Sequence, residues 1–335
     1  MQKPSATQIA TITALRDVTP TVREITLRVN APVAWQAGAH IQVHLRVQAG
    51  SIVRHYSLIP CEQESSLRIA VKRAQPGRGG SQAMWRLLVG DSLAISAPIQ
   101  QFSLDLQASE YVLIAGGIGI TPLLSMAAAL KARQAKVKMI YAASSAQEFA
   151  YRDQLQALLG DSVQWIEGAG LNAQAAIDDL SAKAQAYVCG PSGLLHAVRQ
   201  AWEQAGRNPA LLRFENFGTS SSQDAAFEVR LPRHDLRFEV QASASLLDTL
   251  EQQGVQAMFG CRRGECGLCA LPVLQLNGEI EHRDVFLSTH EKQSNAQICV
   301  CVSRVRGSIT LDSAFRPDAL LKALPTQTHS TGFPE

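Results

Sequence analysis

The cysteines near the end of this chain constrain its fold more than any other feature. Cys261-Arg-Arg-Gly-Glu-Cys266-Gly-Leu-Cys269 is a Cys-x4-Cys-x2-Cys run, and Cys299 and Cys301 follow about thirty residues on. This is the plant-type spacing for a [2Fe-2S] cluster, in which a loop supplies three thiolates and a separate strand brings the fourth. Gly264 and Gly267 let such a loop turn tightly and aim backbone N–H groups at the sulfurs. A structural zinc is the competing reading, but such sites usually join two short cysteine pairs, and only one is present. Cys299 and Cys301 lie two apart in the strand-like Ile298-Cys299-Val300-Cys301-Val302, so period two puts both on one face. Either completes the spacing, and the other is then a small buried hydrophobe. Of seven cysteines, an odd number, four crowd into Cys261, Cys266, Cys269 and either Cys299 or Cys301, which in a reducing compartment reads as metal ligation before disulfides.

The 335 residues suffice for two or three domains. Lys plus Arg at 31 against Asp plus Glu at 29 leaves +2, too even a balance for a nucleic-acid binder or a polybasic membrane binder. Met1 to Gln8 has no apolar signal segment, so the expected location is the cytoplasm. Apolar residues alternate at Ile25, Leu27 and Val29, at Ile41, Val43, Leu45 and Val47, at Leu67, Ile69 and Val71, and at Leu93, Ile95 and Ala97. Short half-buried strands separated by turns predict a small antiparallel barrel over residues 1–106. Next comes Tyr111 to Leu130, twenty residues without a charge and long enough to span a membrane. Gly116, Gly117, Gly119 and Pro122 break it, so a buried strand, a glycine turn and a helix explain it better. Strands and helices then alternate to 223, which predicts a parallel sheet covered by helices. Gly218 to Asp224 reads as a small polar linker, 224–318 as the cysteine-bearing domain, and 319–335 as a tail.

Two further constellations carry chemistry. Arg54-His55-Tyr56-Ser57 follows a strand, and Val71-Lys72-Arg73 ends another, ahead of Gly77-Arg78-Gly79-Gly80-Ser81. Together they offer a guanidinium fork for phosphate, a ring to pack on an aromatic cofactor, a hydroxyl near it, and a glycine loop at a helix start. Gly116-Gly117-Ile118-Gly119-Ile120-Thr121-Pro122 closes a buried strand and opens a helix, where a dinucleotide's pyrophosphate meets backbone N–H groups. Cys189-Gly190-Pro191 closes a second strand at the same sheet edge. Cys189 reads either as core packing or as a contact for that ligand.

In this order the three clusters resemble the phthalate dioxygenase reductase family, within the ferredoxin–NADP reductase superfamily, over nearly the whole chain. The resemblance implies a multi-domain α/β plus β fold. Its parts are an antiparallel flavin-binding β-barrel, a parallel-sheet α/β nucleotide-binding domain and a C-terminal β-grasp plant-type ferredoxin domain. Arg54, Tyr56 and Ser57 match the family's Arg-x-Tyr-Ser flavin motif, with His55, Val71, Lys72 and Arg73 beside it. Gly79, Gly80 and Ser81 match its phosphate turn. The implied flavin is FMN, and no aromatic residue between Arg73 and Ser81 offers to cover an adenine. Gly116, Gly117, Gly119, Thr121 and Pro122 match the nicotinamide motif, and Cys189, Gly190 and Pro191 its Cys-Gly-Pro. At Phe214-Glu215-Asn216-Phe217 the resemblance implies that Phe217 shields the flavin until nicotinamide displaces it. The implied catalytic set is Ser57, Thr121, Cys189, Glu215 and Phe217. Cys301-Val-Ser-Arg304 matches the family's Cys-Val-Ser-Arg, which favours Cys301 as fourth ligand beside Cys261, Cys266 and Cys269.

The implied activity is electron transfer from NADH through FMN to a [2Fe-2S] cluster. The implied partner is the terminal Rieske oxygenase of an aromatic-ring dioxygenase or demethylase; nothing in the sequence bears on oligomeric state, and a monomer is the expectation. A plant-type cluster near −400 mV is a poor final acceptor, so a further redox partner is required in any case. Arg262 and Arg263 are expected either to steer an acidic docking face or to be a solvated loop. An electron donor for another acceptor, such as an O-demethylase oxygenase, would share every motif; a non-enzymatic protein with a cysteine-bound metal is the alternative of another class. Ala142-Ala-Ser-Ser145 lacks the acidic residue that favours a free ribose 2′-hydroxyl, and Ser144, Ser145 and Arg152 offer groups for a 2′-phosphate. NADH rests on the family alone.

Overall fold

The computed structural model describes residues 7–47, 50–61, 63, 65–74, 79–217, 224–242 and 244–313. Gly77-Arg78, the linker residues 218–223 and the tail 319–335 lie outside these. The chain forms two compact units, 1–222 and 223–335.

The first unit begins with an antiparallel sheet of seven strands: β1 (Thr7–Thr19), β2 (Val22–Arg28), β3 (Ala39–Val47), β4 (Gly50–Ser57), β5 (Ser66–Lys72), β6 (Ser92–Ser96) and β7 (Ile99–Gln100). The order is β4-β3-β6-β1-β2-β5 with β7 on β3, and the end strands β4 and β5 lie in contact. Register shifts at Ile12/Ala14 and Asp17/Thr19 in β1 mark bulges, and bulges bend a strand. The curled sheet closes on Ile25, Leu27, Ile41, Val43, Leu67, Ile69 and Ile95, residues that alternate in sequence, together with Ile12 of β1. The short helix α1 (Gly80–Trp85) follows β5.

A five-stranded parallel sheet follows in the order β10-β9-β8-β11-β12. Its strands are β8 (Glu110–Gly116), β9 (Lys136–Ala143), β10 (Val163–Glu167), β11 (Gln185–Gly190) and β12 (Leu212–Asn216). Helices α2 (Ile120–Ala132), α3 (Arg152–Leu159), α4 (Ala173–Ile177) and α5 (Ser192–Gln204) connect them. The uncharged run thus becomes β8, a glycine turn and α2, and every residue of β8 is buried. Among the described residues no helix is long and apolar enough to cross a membrane. Barrel residues Val22, Ile59, Ala70 and Phe102 belong to the same core as Leu113, Leu123 and Tyr141, so the barrel, beside its own core, packs into that of the parallel sheet.

The second unit is a mixed sheet, β13 (Phe227–Leu231), β14 (Leu236–Val240), β15 (Ala270–Glu281), β16 (Gln297–Cys299) and β17 (Arg304–Leu311), in the order β14-β13-β17-β15-β16. The β13–β17 pair is parallel and its neighbours antiparallel. Helix α6 (Leu246–Gln252), capped by Ser245 Oγ on the Asp248 N–H, buries Leu246, Leu247 and Leu250 in this unit's core. Helix α7 (Thr289–Ser294) starts in a capping box of Ser288 and Glu291.

Candidate functional site

The register of β4 against β3 sets His40 opposite Ser57 and Ile41 opposite Tyr56. Tyr56 leans on the barrel core, and burial pushes its phenol above the ordinary range. Ser57 is buried and its Oγ has no hydrogen-bond partner. A hydroxyl left so costs about 1–3 kcal/mol unless a ligand satisfies it. The Arg54 Nε lies 2.8 Å from where a Cβ on Gly80 would stand, so a larger residue there would displace the Arg54 side chain from its close approach to the turn. Gly79 takes the left-handed φ of +80° that the turn requires, and Ser81 Oγ accepts from the Ala74 N–H at 3.1 Å to close the loop. His55 stacks on His40 with ring centroids 5.0 Å apart.

β8 and β11 are neighbours in the parallel sheet, while the chain leaves β8 for β9 on its other side. That reversal is the topological switch point where open α/β sheets bind ligands at the carboxyl ends of their strands. Gly116 ends β8 and Gly190 ends β11. A Cβ on Gly119 would lie 2.1 Å from the Cys189 carbonyl oxygen, and one on Gly190 would lie 3.0 Å from Gly116 Cα. The glycines therefore let the turn after β8 close onto Cys189-Gly190-Pro191. Thr121 Oγ1 donates to the Ile118 carbonyl at 3.0 Å, and Lys72 Nζ stands 3.6 Å from the position of a Cβ on Gly117.

These two halves face one cavity of about 430 Å³. Arg54, His55, Tyr56 and Ser57 line it from β4, with Val71, Lys72, Gly80 and Ser81 beyond them. Gly116, Gly117, Gly119, Thr121, Gly190 and Pro191 line it from the parallel sheet, and Phe217 completes the wall. Arg73, Gly79, Pro122, Cys189 and Glu215 do not line it. Arg73 instead lies over the Trp85 ring, 4.6 Å from its centroid, with Arg23 at 4.4 Å from the same ring. Cys189 and Glu215 are buried partners in register across β11 and β12. Ala70, Ala74 and Ile118 also line the cavity and escaped the motif reading. The only sequence signal was their position beside or between motif residues. The orphaned Ser57 hydroxyl and the Arg54–Gly80 cradle fit a flavin and its phosphate.

In the second unit, β16 ends at Cys299, and the Val302 and Ser303 N–H groups bond back to the Cys299 carbonyl at 3.3 and 3.0 Å. Cys301 therefore lies in a turn, and the expectation that Cys299 and Cys301 share a strand face fails because the ladder stops. Cys269 and Cys301 are 3.1 Å apart at sulfur. The Arg263 and Glu265 N–H groups each donate to Cys261 Sγ at 3.3 Å, and the Cys261 N–H to Cys266 Sγ at 3.5 Å. The neighbouring Cys301 thiol, with those N–H groups, holds the Cys261 thiol below its ordinary range, and Cys299 and Cys301 do the same for Cys269. Among the described residues no three His, Cys, Asp or Glu side chains form a group for a metal ion. The thiols instead come from two facing segments with N–H groups turned on the sulfurs, a donor set that fits a [2Fe-2S] cluster. Cys266 is the exposed thiol of the set.

The two arginines beside these thiols are neither a free basic face nor a solvated loop. Arg262 is paired with Asp248 at 2.8 Å and Glu251 at 2.7 Å and stacks on Phe259, while Arg263 is buried beside Glu265. Arg152 lies over Phe149 and Trp165.

Comparison with known proteins agrees with this arrangement. The family "Oxidoreductase FAD-binding domain" matches residues 10–104, "Oxidoreductase NAD-binding domain" 113–200, and "2Fe-2S iron-sulfur cluster binding domain" 230–306. The chain is thus an oxidoreductase with flavin-, nicotinamide- and [2Fe-2S]-binding domains in one polypeptide. It belongs to the phthalate dioxygenase reductase family. It is 37% identical to the phthalate 4,5-dioxygenase oxygenase reductase subunit of Pseudomonas putida, covering 82% of this chain and 86% of that one. It is 35% identical to the heme-dependent oxidative N-demethylase beta subunit of Ectopseudomonas mendocina, covering 90% and 97%. The solved structure of phthalate dioxygenase reductase superposes with a TM-score of 0.72 at 30% identity, covering 92% of this chain and 98% of that one.

Proposed function

We propose that this chain is the reductase component of an oxygenase system, passing electrons from NADH through FMN and a [2Fe-2S] cluster to a terminal Rieske oxygenase. The observation that carries the reading is the single cavity shared by Arg54–Ser57, the glycine turn and Phe217. A nicotinamide and a flavin must meet face to face for hydride to pass, and this cavity is lined by the motifs for both. The flavin's chemistry is to take two electrons as a hydride and release them singly, as the cluster requires.

The residues do the rest. Arg54, Gly80 and Ser81 hold the flavin phosphate, Tyr56 packs on the ring system, and Ser57 donates its hydrogen bond at the flavin edge. Gly116, Gly117, Gly119 and Thr121 let the nicotinamide dinucleotide approach, with Gly190 and Pro191 behind it. Phe217 occupies the nicotinamide position and yields it, excluding water in between. Cys189 and Glu215, buried and in register, act by supporting this wall. Cys261, Cys266, Cys269 and Cys301 hold the cluster. Residues 1–106, 107–223 and 224–318 are the corresponding three domains of a cytoplasmic monomer.

FMN is favoured over FAD because Trp85, the aromatic residue nearest the phosphate loop in sequence, already carries two guanidinium groups and is not open to an adenine. NADH is favoured over NADPH because Arg152, the cation expected to meet a 2′-phosphate, is engaged with Phe149 and Trp165. A haem-dependent demethylase is the second reading of the partner, since a relative bearing that name matches over 97% of its length.

The test is an absorption spectrum of the purified protein before and after anaerobic NADH, with iron counted and released flavin identified by chromatography. Two irons and one FMN per chain, bleached by NADH, is the expected result. A protein that stays colourless after reconstitution with iron, sulfide and flavin would overturn it.

A further inference from the structure

We propose that Asp284 and Lys292 are an opposed pair of charges that sets the reduction potential of the cluster. The inference rests on the cluster reading above and extends it to two residues outside every motif.

At 0% exposure, Asp284 is the most deeply buried charged side chain described in the second unit. It stands against the loop that carries Cys261 and Cys266. A Cβ on Gly264 would lie 2.8 Å from Asp284 Cα, and the Val285 N–H donates to the Gly264 carbonyl at 2.9 Å. On its other side Ser303 Oγ donates to Asp284 Oδ1 at 3.3 Å, two residues beyond Cys301. Asp284 is thus wedged between the two segments that bring the thiols, its backbone against one and its carboxylate against the other. Lys292 of α7 places Nζ 3.7 Å from Asp284 Oδ2 and also donates to the Asp284 carbonyl. His282 Nδ1 lies 3.6 Å from Oδ1, and the Leu287 N–H donates to Oδ2 at 2.8 Å.

Among the described residues, the other buried charged groups of this unit are arginines engaged with other groups. Arg263 faces Glu265, Arg283 bonds to Asp224 and Glu281, and Arg304 donates to the carbonyls of Gln241, Ala244 and Ala225. Adding an electron to a cluster adds negative charge. A buried carboxylate close by opposes that addition and a part-buried ammonium favours it, with less screening by solvent than at the surface. Asp284 therefore pulls the potential down, and Lys292 offsets it.

The experiment is a redox titration of the full-length, cluster-loaded protein, followed by visible absorption and electron paramagnetic resonance, with iron counted in each sample. Asp284→Asn is expected to shift the midpoint potential upward, Lys292→Met downward, and the double variant to fall between the two. Loss of packing alone would not move the single variants in opposite directions. A single variant that holds two irons and titrates like the wild type overturns the proposal, as do shifts of the same sign. If Asp284→Asn holds no cluster, Lys292→Met decides alone. A wild-type chain that takes up no iron on reconstitution overturns the cluster reading and the proposal with it, whereas loaded variants with unmoved potentials overturn the proposal only.

Discussion

At Arg54 the side chain packs where Gly80 leaves room for it, and a phosphate bound there would gain charge-assisted hydrogen bonds worth about 1.5–3 kcal/mol. Arg54→Ala is expected to weaken flavin binding roughly ten- to hundred-fold, read from the flavin retained after gel filtration and from titration of the flavin-free protein. Unchanged affinity would remove Arg54 from the phosphate site. At the thiols, Cys301→Ser is expected to abolish the cluster spectrum while NADH-to-ferricyanide activity through the flavin persists. Cys299→Ser is expected to keep the spectrum, and the reverse result would reassign the fourth ligand. Motif residues such as Arg54, Ser57 and Gly116 were legible because their chemistry demands particular residue types at fixed spacing. Asp284 was not, because a buried carboxylate reveals itself only through what folds over it. The fate of Arg262 was hidden for the same reason: Asp248 and Glu251, on a helix earlier in the chain, take up its charge.

Elements were legible where burial is one-sided or complete. Period-two alternation gives β3 and β5, and the continuous apolar run gives β8. β1 was missed because thirteen residues of Thr, Gln, Arg and Asp among small apolar residues show no clean alternation once two bulges shift it. β15 was missed because it is mostly part-buried or exposed, so its place is fixed by pairing with β17 rather than by a hydrophobic face. The start of β8 carries a pH-dependent contact. Hydrogen bonds from Lys136, 2.6 Å away, and from the Ser181 N–H hold the Glu110 carboxyl down to about 2. The folded value lies below the ordinary 4.5, so the stabilisation is complete above that pH and is lost as pH falls through about 2. Because the Lys136 side chain is 78% exposed, solvent screening limits the pair to about 1 kcal/mol or less. Glu110→Gln should therefore be less stable than the wild type at pH 6, with the gap in urea midpoints closing toward pH 2. A gap that stays constant over that range would show that the carboxylate's charge plays no part.

Across the whole molecule, three cofactor sites are distributed over two units that each close their own core. The barrel has a core of its own and also packs into the core of the parallel sheet, while the cysteine-bearing sheet has another. Three textures can be read along the sequence, alternating strands, then continuous apolar runs between helices, then the cysteine cluster, but packing of one sheet against another leaves no trace in periodicity. This arrangement predicts where each cofactor's binding energy is felt. A ligand stabilises the structure that binds it by about 2.7 kcal/mol when present at a hundred times its Kd. For a unit of this size that corresponds to a melting shift of roughly 5–10 °C. The four tryptophans, Trp35, Trp85, Trp165 and Trp202, all lie in the first unit, so their fluorescence reports its unfolding alone. The cluster's visible absorption reports the second. Removing flavin should lower the tryptophan transition by that amount, and removing iron should leave it in place. If iron removal lowered the tryptophan transition as far as flavin removal does, the two units would be one cooperative body, and electron transfer would have to be argued from a single rigid frame.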